Sequence, residues 1–125
     1  MKKILVAGVV LFGMNSAVNA AILAGGAMYG GPGQATAVCY LYNAGATAVT
    51  ISSKTISREF NVPLGLTVDN CGAALSAGRS CGFATPIVNF AAHFCKVVVS
   101  SKANLRGVFE MRDAAGNVTS NIELH

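Results

Sequence analysis

The chain has 125 residues, a formal net charge of +4, 53% hydrophobic residues and only 11% charged ones. This is too apolar and too weakly charged for a disordered chain, and it excludes a collagen-like repeat or a coiled coil. Five carboxylates and two histidines leave little material for catalysis.

Lys2 and Lys3 precede an uncharged apolar run from Ile4 to Met14, and Val18-Asn19-Ala20 ends on a small residue. A basic start, a short apolar core and a small-residue cleavage site predict a secretory signal peptide over 1–20. The run is too short to span ~30 Å of hydrocarbon. No later segment is long enough either, so no membrane span is expected. The mature domain is then 21–125, and its seven bases against five acids carry +2. Those bases are scattered rather than clustered, which gives no footprint for nucleic acid.

Ile22–Tyr29 is a strand diluted by glycines, followed by a turn at Gly30–Gln34. Thr36–Asn43 is predicted as a strand with Ala37, Cys39 and Leu41 on one face and Val38, Tyr40 and Tyr42 on the other. A turn at Asn43-Ala44-Gly45 leads to a strand over Ala48–Thr55, with Val49 and Ile51 inward. Arg58–Pro63 reads as loop, and Leu64–Val68 as a short strand ending at Asp69-Asn70. Gly82–Val88 reads as a strand demoted to a sheet edge by Pro86. Ala92–Ser101 holds the clearest β run, and Arg106–Arg112 puts Phe109 and Met111 on the face of Leu105 and Gly107. Asp113–Asn117 is a hairpin loop, and Val118, Ser120, Ile122 and Leu124 alternate after it.

Seven or eight short strands without a helical period predict an all-β fold: a single antiparallel β-sandwich of the immunoglobulin-like class.

Exported cysteines form disulfides, and four of them allow three pairings. Cys71 and Cys81 bracket a segment of glycines and small residues that can fold back on itself. Cys39 and Cys95 lie inside strand-like runs far apart in sequence. Cys71–Cys81 with Cys39–Cys95 is therefore the favoured pairing. Chain entropy gives about 2.8 and about 4.2 kcal/mol for the short and long loops. No C-x-x-C is present, and spacings of 32, 10 and 14 do not pair zinc ligands. No metal or cofactor is expected.

The stretch Asp69-Asn70-Cys71-Gly72 to Gly78-Arg79-Ser80-Cys81, with Leu75 between, resembles a motif of bacterial immunoglobulin-like domains of the abnormal-spindle/Hydin type. The mature chain is also similar to small secreted proteobacterial proteins of uncharacterised function. The features that carry this second likeness are the Gly-Gly turn, Val38–Gly45 and Leu105–Asp113. The first resemblance implies a binding or spacer module, the second only export. Cys95 lies outside the motif, and Gly82–Pro86 breaks its following strand early.

Enzymatic chemistry finds few candidates. His93 is the one histidine away from the terminus, and no Gly-x-Ser-x-Gly elbow accompanies it. A histidine satisfied near a strand end is the simpler reading. Asp69 is expected to cap the turn before Cys71, and Asp113 to begin the hairpin loop. If Cys39 and Cys95 point inward, Tyr40, Tyr42, Phe94 and Val98 face out, with Lys96 beside the last two. Those four residues are the candidate partner-binding strip. The sequence thus predicts a non-enzymatic binding or structural module, exported to the periplasm or beyond, with a protein or envelope partner. Its alternatives are a subunit of a surface assembly polymerising by strand exchange, and a small hydrolase or metal protein using His93.

Overall fold

The computed structural model describes residues 20–125. The expected signal peptide, 1–20, lies outside the described residues except for Ala20. Ten strands follow: β1 (Ala21–Gly30), β2 (Thr36–Asn43), β3 (Val49–Arg58), β4 (Val62–Pro63), β5 (Val68–Asp69), β6 (Ala74–Leu75), β7 (Ser80–Pro86), β8 (Ala91–Val99), β9 (Leu105–Arg112) and β10 (Val118–Glu123). Seven have six residues or more, and β4, β5 and β6 have two each.

The strands make two antiparallel sheets packed face to face, a disulfide-stapled β-sandwich. Sheet A has the order β1-β8-β3-β4, with β6 also on β3, and sheet B the order β10-β9-β2-β7-β5. β2 beside β7 and β3 beside β8 are the central pairings of the two sheets. β1 also lies beside β8, and β9 beside β2.

Alternation decides what is inside. Ala37, Cys39 and Leu41 of β2 face Cys95, Val97 and Val99 of β8, and Phe83, Phe109, Met111 and Ile56 complete a core closed to solvent. The Cys39–Cys95 bridge crosses this core from one sheet to the other, with a Cα separation of 6.4 Å. Cys71–Cys81 closes a ten-residue separation at the sandwich edge, with Cα atoms 5.0 Å apart.

Both edges where the sheets part are laced. On one side Leu124 donates to Gly107 O of sheet B, and His125 exchanges two bonds with Ala24 of sheet A. Leu124 itself is buried. On the other side the Cys71–Cys81 loop crosses to sheet A, where Leu75 pairs with Val49. A bulge in β3 between Ile51 and Ser53 puts Lys54 opposite inward-facing Val97. Its ammonium reaches Asp69 (2.9 Å) and Cys71 O (2.8 Å). Asp69 Oδ1 also accepts from Cys71 N–H, the cap expected of it.

Three expectations are corrected. Leu64–Val68 is not a strand, and only Val68–Asp69 pairs, with β7. β7 is not the sheet edge, because β5 lies outside it and Pro86 occupies its last position. A bulge between Val118 and Ser120 breaks the alternation of β10, so Val118 is exposed while Ile122 is half-buried.

Asn43, read from sequence as a turn residue, is fully buried. Its Nδ2 donates to Thr47 O (2.8 Å) and Leu75 O (2.9 Å), and its Oδ1 accepts from Gly45 N–H (3.0 Å). One side chain thus holds the β2–β3 turn to the disulfide loop. Asn43→Ala leaves those backbone groups unpaired and is expected to cost about 2–3 kcal/mol, measured by urea denaturation. Replacing Cys39 and Cys95 together by alanine is expected to cost about 2–4 kcal/mol. An unchanged urea midpoint would show that the core bridge does not hold the sheets together.

Candidate functional site

The structure separates the four residues of the expected strip. Cys39 and Cys95 enter the core from opposite sheets, so the residues next to them point in opposite directions. Tyr40 and Tyr42 lie on the outer face of sheet B, and Phe94 and Val98 on that of sheet A. One strip is therefore two surfaces, and the same bridge that turns the cysteines inward divides it.

On sheet B, Tyr40 is tied into the sheet. Its ring lies over Gly82, where an added Cβ would sit 2.8 Å from Tyr40 Cε1. The Arg112 guanidinium stands 5.2 Å from the ring centroid, held by Glu110 Oε2 at 2.9 and 3.2 Å. This stack covers the face. Val38 is buried between Ala84 and Glu110 of the neighbouring strands rather than facing solvent. Tyr42, between Ser80 and Arg106, is the exposed member.

On sheet A the surface is more open. Phe94 forms part of a groove of about 630 Å3, walled by Gly25 and Gly26 on one side and by Thr55, Ser57, Asn61 and Pro63 on the other. Gly26 has φ +147°, and a Cβ there would meet Phe94 Cδ1 at 2.6 Å, so only glycine lets the ring lie against β1. Lys96 lines the same groove and has no carboxylate within 4 Å. Val98, paired with exposed Ile22, is half-buried farther along the face.

Beyond the groove, three further aromatic residues are exposed at one end of the sheet. Phe60 is 94% exposed, Phe90 67% and Tyr29 58%. Phe60 tops the β3–β4 turn and Phe90 the turn entering β8. Glu59 N–H donates to Ala92 O and Phe90 N–H to Gly30 O, which brings the two turns and the end of β1 together. Both Phe60 and Phe90 have φ 63°. The left-handed region costs a bulky side chain about 1 kcal/mol or more, and asparagine or glycine takes it more easily. Phe60 sits within the loop read from sequence, where an aromatic residue was the available signal.

His93 is buried at the inner side of this end. Val88 N–H donates to Nε2 (3.0 Å), so Nδ1 carries the proton and donates to Ala91 O (3.0 Å). Both ring nitrogens are occupied by backbone. Burial holds its pKa below the ordinary 6.5, against the raising effect of the Ala91 and Met28 backbone and of Glu59. Among the described residues no three His, Cys, Asp or Glu side chains are grouped to hold a metal ion.

Comparison with protein-family models, curated proteins and solved structures found no match.

The His93 pKa is lowered on folding, so the unfolded chain binds the extra proton first. The stability contributed by the neutral ring is complete above pH 6.5 and declines as pH falls below it toward the folded pKa. Urea midpoints are expected to drop from pH 7.5 to pH 5.5, and His93→Gln to lower stability at pH 7.5 but flatten that slope. An equally steep slope in the variant would assign the effect to another group.

Proposed function

We propose that the protein is an exported, non-enzymatic binding module whose contact surface is the outer face and aromatic end of sheet A. The observation that carries this reading is the accumulation of exposed apolar side chains there: Ile22, Tyr29, Phe60, Val62, Phe90 and Phe94. Isolated surface hydrophobics need no explanation, but a contiguous group around an open groove marks an interaction site. Two disulfides, and the lack of any helix long and apolar enough to cross a membrane among the described residues, fit a periplasmic or extracellular protein. Export through the leader at 1–20 is the route proposed.

The strand-exchange alternative is supported by one feature, the outer side of β10, which among the described residues pairs only with β9. Edges laced by Leu124–His125 and by Leu75 favour the self-contained module.

The test is non-reducing mass spectrometry of the protein from its own host. A mass of residues 21–125 less four hydrogens is expected, whereas retained thiols or an uncleaved leader would overturn the export reading. A ladder of multiples would select the assembly subunit.

A further inference from the structure

We infer that the aromatic end of sheet A docks on an anionic phospholipid surface, with Phe60 and Phe90 entering the interface and Arg58 and Lys96 meeting the headgroups. This inference rests on the proposed reading of that end as the contact surface.

Four features of the structure point to lipid. The first is shape. Phe60 projects from its turn almost wholly exposed and Phe90 about two-thirds exposed, and a projecting ring suits a soft apolar medium. A protein partner has to supply a pocket for each ring. The second is conformation: both rings sit at left-handed positions that asparagine or glycine would fill with less strain. The third is the sparseness of charge around the tips, where Glu59, directly before Phe60, is the one carboxylate in either turn and is held at Ala92 N–H. Residues 60–68 and 80–95 contain no Asp, Glu, Lys or Arg, and neither do 21–53, which include the adjoining 30–35 turn.

The fourth is the placement of cations. Arg58 lies at the base of the Phe60 turn and Lys96 on the outer face beyond Phe94, both set back from the tips and neither with a carboxylate within 4 Å. Glu59, next to Arg58 in the sequence, turns its carboxylate to Ala92 N–H. Apolar tips with cations behind them match the acyl boundary and anionic headgroups of a bilayer leaflet. This is attachment to a surface, with no segment crossing the membrane.

The chain has no tryptophan, so Phe60→Trp provides a single fluorescent reporter at the tip. Emission of that variant is expected to shift to the blue on adding vesicles of phosphatidylcholine and phosphatidylglycerol in equal parts, with co-sedimentation. Vesicles of phosphatidylcholine alone are expected to bind roughly thirtyfold more weakly, from the loss of two cation contacts.

Phe60→Asn with Phe90→Asn places a residue that accepts left-handed geometry at both turns, so thermal stability is expected to be kept or raised. Vesicle partition is expected to fall by about tenfold or more. No blue shift, or undiminished sedimentation of the folded double variant, overturns the inference.

A benzophenone side chain in place of Phe60, irradiated in the native host, separates this failure from that of the wider reading. Lipid adducts support bilayer docking. Adducts to protein or glycan overturn it while keeping the surface as a binding site, and no adducts overturn both.

Discussion

The Cys39–Cys95 bridge is the constraint on which the rest of the sandwich turns. It joins the middle strand of sheet B to a central strand of sheet A through the core. Once both sulfurs point inward, the two-residue period fixes the direction of every neighbour on β2 and β8. Leu41 and Ala37 must go in with Cys39, and Val97 and His93 with Cys95. A one-residue slip in either strand would turn these side chains outward and break the bridge, so covalent and hydrophobic register enforce each other. In a domain of little more than 100 residues, where net stability is about 5–15 kcal/mol, a bridge over so long a loop is a large fraction of the margin.

A staple through the centre leaves the edges to be managed separately, and each is handled by different chemistry. Leu124 closes one edge by burying an aliphatic side chain between Gly25 and Gly107, where the absence of Cβ atoms makes room. The other edge is polar. Lys54, turned toward the interior by the β3 bulge, is a half-buried cation that would be costly by itself. Its pairing with Asp69 and Cys71 O compensates it at the point where the disulfide loop leaves sheet B. Asn43 does the same with neutral bonds at the far end of that loop. The Cys71–Cys81 bridge is thus one of three ties on a single crossing segment.

Much of this was legible in the sequence, because seven strands of six or more residues carry enough alternation to declare a face. Cys39 and Cys95, both mid-strand, declared the inter-sheet bridge on the same grounds. The parts that escaped have physical reasons. Two-residue strands such as β4 and β6 have no period to read. The bulges at Ile51/Ser53 and Val118/Ser120 shift the pattern without a local signature. Asn43 has the composition of a turn residue, and only its partners at Thr47 and Leu75 reveal a buried role. The partition of Tyr40 and Tyr42 from Phe94 and Val98 follows from the bridge, yet it requires assigning each strand to a sheet, which alternation alone cannot do.

The outer faces then differ for a reason rooted in the same geometry. On sheet B, Tyr40 lies across Gly82 under Arg112, so the aromatic surface is spent on internal packing and Arg112 on Glu110. On sheet A, Gly26 lets Phe94 lie flat against β1, and the cation beside it stays free. The turns at Phe60 and Phe90 extend this apolar surface past the end of the strands. Cooler alternatives for those positions exist, since asparagine fits the left-handed backbone and keeps the tips soluble. Two phenylalanines held in that region at adjacent turns, with Glu59 turned back to Ala92 N–H, place strain and apolar exposure at the same spot. Strain at one exposed turn is unremarkable; its coincidence with exposed aromatic rings at two turns is what distinguishes this end from scattered surface hydrophobics.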